Sequence, residues 1–107
     1  MKLQYENVYV CIYFDSDVNK NVKWPNQFLT DSWHFTSKSF GFLGDPLYAI
    51  FHAGKHPGGE PATYLDELKD NRSVLDSGML SKNAWEVEDD NARIILLRQV
   101  GYIIECK

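Results

Sequence analysis

At 107 residues, 44% hydrophobic and 14% aromatic, the chain has the size of one domain and too much apolar material for a disordered segment. A net charge of −4 and a pI near 5.2, with basic residues scattered along the chain, argue against a nucleic-acid binder, which needs a basic stripe. No repeat, low-complexity tract or long linker divides residues 1–107, so one globular domain is expected.

Met1, Lys2 and the residues up to Asn7 lack the apolar core of a signal peptide. Apolar runs such as 8–14 and 94–97 fall far short of the ~20 residues that span a bilayer. These features predict a cytosolic protein. Cys11 and Cys106 then read as reduced, partly buried thiols, which pairing of the terminal strands would bring close together.

Taken in chain order, residues 5–14 are rich in β-branched and aromatic side chains and predict an opening strand. The polar stretch 15–21 reads as a hairpin loop leading to a return strand over 22–24, which Pro25 ends because it has no N–H to donate. Residues 32–42 alternate loosely through Trp33, Phe35, Phe40 and Phe42, suggesting one or two short strands. Asp45-Pro46 resembles a helix start and Gly54 a helix end, so a short helix is expected over 46–53, burying Leu47, Ile50 and Phe51. Residues 55–59 make a turn, and Pro61 opens a second helix to about 70 with Tyr64, Leu65 and Leu68 inward and Asp66, Glu67 and Asp70 outward.

Residues 71–83 read as a loop turning at Ser77-Gly78. Residues 84–88 follow as a strand with Trp85 and Val87 on one face and Glu86 and Glu88 on the other. Residues 91–100 suit either a buried strand or a helix capped by Asp89 or Asp90, with Ala92, Ile95, Leu96 and Val100 on one side; the helix is preferred, stopped by Gly101. A last strand is expected over 102–106. The sum is an α+β fold: a mostly antiparallel sheet of about four or five strands with two or three helices on one face.

Chemical motifs are weak. His52 and His56 are four apart, but Gly54 and Pro57 interrupt a helix between them and no further ligands stand at diagnostic spacing, so ordinary surface or turn histidines are expected and no metal. Asp15-x-Asp17-x-Asn19 begins like an EF-hand loop, yet Lys20 replaces the turn glycine and Asn26 the closing glutamate. The glycines of 55–59 lack phosphate-loop spacing, and no serine or cysteine sits in a nucleophile pattern. No enzyme activity and no cofactor are expected.

The acidic residues carry the positive signal. The first 59 residues balance five acids against five lysines, whereas residues 60–90 hold nine acids opposed only by Lys69, Arg72 and Lys82. Such a field repels phosphate and attracts basic protein surfaces. With Trp85 as an aromatic anchor, Asp66, Glu67, Asp70, Glu86, Glu88, Asp89 and Asp90 are the candidate partner contacts.

In size, acidity, interspersed aromatics and lack of catalytic motifs, the chain resembles the small immunity proteins that protect bacteria from polymorphic or contact-delivered toxins. The resemblance is one of profile and covers no diagnostic motif. It implies an antitoxin: a cytoplasmic inhibitor that binds a cognate basic toxin, often a nuclease, through a protein–protein interaction. A small-molecule-binding or regulatory domain, or a subunit of a larger assembly, is the alternative, with an unrecognised enzyme ranked behind these.

Overall fold

The computed structural model describes residues 2–41, 44–53, 73–79, 83 and 85–105. Four strands and two helices lie within them: β1 (Lys2–Glu6), β2 (Val10–Phe14), α1 (Trp24–Phe40), β3 (Leu47–Ala53), β4 (Ser73–Met79) and α2 (Asp90–Glu105). The strands form one sheet in the order β1-β2-β3-β4. The fold is α+β with four strands, as expected, but its pairing is not mostly antiparallel: only β1 and β2 run antiparallel, and β2–β3 and β3–β4 are parallel.

Asn7 divides the expected opening strand in two. Its Oδ1 accepts the N–H groups of Tyr9 and Val10 at 2.8 and 3.0 Å, and its Nδ2 donates to Thr30 Oγ1 at 2.9 Å. An asparagine satisfying nearby backbone donors in this way turns the chain. Residues 15–23 are then not a hairpin loop but the entry to α1; Ser16 N–H donates to Asp15 Oδ1 and Asn21 N–H to Asn19 Oδ1. Val18 and Val22 dip from this loop into the core.

The return strand at 22–24 and the strands at 32–42 are replaced by α1. Pro25 sits in its first turn, where the missing N–H costs nothing. Pro25, Leu29, Trp33 and Ser37 form the buried stripe, whereas Phe35 and Phe40, which suggested alternation, are 73% and 60% exposed. Hydroxyls inside the helix bond backward, Thr30 to the Asn26 carbonyl and Ser32 to that of Phe28. Gly41 ends α1 at φ 83° with its N–H donated to the Ser37 carbonyl.

The helix expected at 46–53 is β3. Its continuous apolar run belongs to a parallel strand buried on both faces, a pattern that a short buried helix shares. Residues 71–83 are not a loop throughout: β4 occupies 73–79, with Ser73, Leu75 and Ser77 buried. Of the expected strand at 84–88, the described residues 85–88 form a turn instead. The preferred helix over 91–100 is present, capped by Asp89, whose Oδ1 accepts the Ala92 N–H at 2.8 Å. Gly101 does not stop it. Ile103 and Ile104 continue the apolar stripe, so residues 102–105 of the expected last strand are the final turn of α2. The helix predicted at 61–70, the turn at 55–59, and Cys106 lie outside the described residues.

Both helices cover one face of the sheet. Leu29 and Trp33 of α1 and Ala92, Leu96 and Val100 of α2 join Val10, Ile12, Phe14, Leu47, Ala49, Phe51, Ala53 and Leu75 in one core. Ile50 and Cys11, equally buried, stand outside that cluster on the opposite face, together with His52 and Asp76 by strand alternation. Each fully buried Leu or Phe contributes about 1.5–3 kcal/mol.

Candidate functional site

The chemistry-bearing residues gather at the carboxyl ends of the parallel strands, the end where open sheets leave room for ligands. Asp15 is the first residue beyond β2, and its N–H donates to the Phe51 carbonyl at 2.9 Å, extending the β2–β3 pairing. His52 lies near the end of β3. The β3–β4 register sets Ile50 opposite Asp76, so Asp76 reaches His52 diagonally on the same face.

These three side chains form a buried triad. His52 Nδ1 is 2.9 Å from Asp15 Oδ2. Its Nε2 is 2.7 Å from Asp76 Oδ1, an ion pair by distance though not a well-aligned hydrogen bond. The His52 side chain is 3% exposed and those of Asp15 and Asp76 are 18% and 8%. Contact with Asp76 raises the imidazole pKa above its usual 6.5; burial pulls the other way, and Asp15 adds to the rise. The imidazole lies between two carboxylates, which favour its protonated form. Each ring nitrogen faces a carboxylate, and the ring has little access to solvent. His52 is thus a core residue and not the expected surface or turn histidine. Among the described residues no group of His, Cys, Asp or Glu side chains is arranged to hold a metal ion.

A chain of indole hydrogen bonds joins the triad to the surface. Trp85 Nε1 donates to the His52 carbonyl and Trp24 Nε1 to the Trp85 carbonyl, each at 2.7 Å. The Trp85 ring packs edge-on against Phe51 with centroids 4.7 Å apart. Trp85 is 1% exposed, so its side chain lies in the core and does not reach the surface as an anchor for a partner.

The residues after Trp85 are all exposed: Glu86, Val87, Glu88, Asp89 and Asp90. Glu86 Oε1 accepts from Asn19 Nδ2 at 3.1 Å, tying the turn to the loop after β2. Asp89 caps α2, and Arg93 pairs with both Glu88 and Asp90. Four acids against one arginine leave this turn negative. Four of the predicted partner contacts, Glu86, Glu88, Asp89 and Asp90, are therefore brought together, while Asp66, Glu67 and Asp70 lie outside the described residues. The triad escaped sequence reasoning; its signals were an aspartate directly after an apolar strand and a histidine inside an apolar run.

Among the described residues no helix is long and apolar enough to cross a membrane. No protein family, no curated protein and no solved structure matches the chain.

Proposed function

We propose that this protein is an acidic cytosolic inhibitor of the bacterial immunity type, which neutralises a cognate basic toxin such as a nuclease by covering its substrate groove. The observation that carries the reading is the exposed acidic turn 86–90, fixed from beneath by buried Trp85. A surface held in place before encounter loses less freedom on binding. Its charge steers a basic partner and speeds association, and exposed Val87 offers apolar contact at its centre.

Affinity capture from the native host, at low and at moderate salt with mass spectrometric readout, tests this. One basic protein recovered stoichiometrically, and released by salt, is the expected result. Recovery of no partner by a well-folded protein would overturn the reading.

A further inference from the structure

A hollow on the other side of Asp15 has a chemistry that the acidic turn lacks. It lies where the ends of β1 and β2 meet the loop after β2, has a volume of about 250 Å³, and is lined by Lys2, Gln4, Phe14, Asp15, Ser16 and Lys20. The β1–β2 register explains the grouping. Lys2 pairs with Phe14, so the two side chains share a face. The pairing then shifts between Leu3 and Tyr5, leaving Gln4 as the extra residue of a bulge. Bulges re-aim side chains and are over-represented beside binding sites.

The lining is positive on a chain whose net charge is −4. Lys2 and Lys20 are exposed, and neither forms an ion pair with a described residue. Asp15, the one acid of the lining, is held by His52 through Oδ2, and two lysines stand against its single carboxylate. Gln4 and Ser16 add neutral hydrogen-bonding groups, and Phe14 contributes an apolar wall. Concave sites with apolar walls and a few charged groups are the usual form of small-ligand sites.

We propose that this hollow binds a small organic anion, its apolar body against Phe14 and its carboxylate or phosphate met by Lys2 and Lys20. The inference is independent of the partner at the acidic turn. Amide NMR titrations with phenyl phosphate, benzoate and inorganic phosphate, at constant ionic strength, test it. Saturable shifts of the Gln4, Ser16 and Lys20 amides are expected with phenyl phosphate or benzoate, the stronger of the two identifying the anionic group. Inorganic phosphate, which has no apolar body, should bind more weakly. Lys2→Glu or Lys20→Glu should weaken binding by about ten-fold, and Lys→Gln at either position by less, each in a protein whose spectrum stays folded. Shifts that never saturate, affinities unchanged by charge reversal, or equal binding of benzylammonium would overturn the proposal.

Discussion

Replacing His52 removes the ring that stands between the Asp15 and Asp76 carboxylates, in contact with both. His52→Leu should destabilise the fold by about 3 kcal/mol in urea unfolding, because breaking a buried ion pair strands its partners. Adding Asp76→Asn to that variant should recover part of the loss, since one stranded charge is then gone. The pH dependence has a definite sign. With its folded pKa raised above 6.5, protonated His52 contributes stability that is fully present below 6.5 and lost as pH rises through the folded value. The melting temperature should therefore fall on going from pH 6 to pH 9, and His52→Leu should flatten that decline. Trp85→Phe keeps the contact with Phe51 but drops the bond to the His52 carbonyl, and should cost about 1–2 kcal/mol by the same measurement. Sequence reasoning reached the acidic turn because its charges are neighbours in the chain. It missed the triad because residues 15, 52 and 76 meet only through parallel pairing, which local pattern does not reveal.

The C-cap of α1 can be tested in isolation. A Cβ at Gly41 would meet nothing within 4 Å, so Gly41→Ala carries only the penalty of a left-handed backbone, φ 83°. Denaturant unfolding should register a loss of about 1 kcal/mol with no change in fold. Legibility at this scale followed periodicity. α2 was recognisable because Ala92, Leu96 and Val100 recur at helical spacing behind an aspartate cap. α1 was hidden because its stripe includes a proline and a serine, Pro25 and Ser37, while its phenylalanines at 35 and 40 face outward. β3 looked helical because a seven-residue strand with six residues buried carries no alternation. β4 looked like a loop because serine, aspartate and glycine dominate it; its burial comes from β3 beside it and α2 above, neither visible in the strand itself.

For the whole molecule, charge distribution is the property most open to experiment. Changing Glu86, Glu88 and Asp90 together to their amides should slow association with a captured basic partner and flatten its dependence on salt, measured by stopped-flow mixing. Melting temperature should shift little, since these side chains are exposed and Asp89, the helix cap, is kept. Arg93 loses both of its carboxylate partners in that variant, but these are solvent-screened surface pairs. The strand order also bears on how the fold is built. Among the described strands each lies beside its predecessor in the chain, so the sheet can grow from one edge as the polypeptide leaves the ribosome, with none of the four inserted between two already paired. Until β4 is made, β3 is that growing edge, and its apolar run is the surface a nascent chain would most need to keep from other unfinished copies.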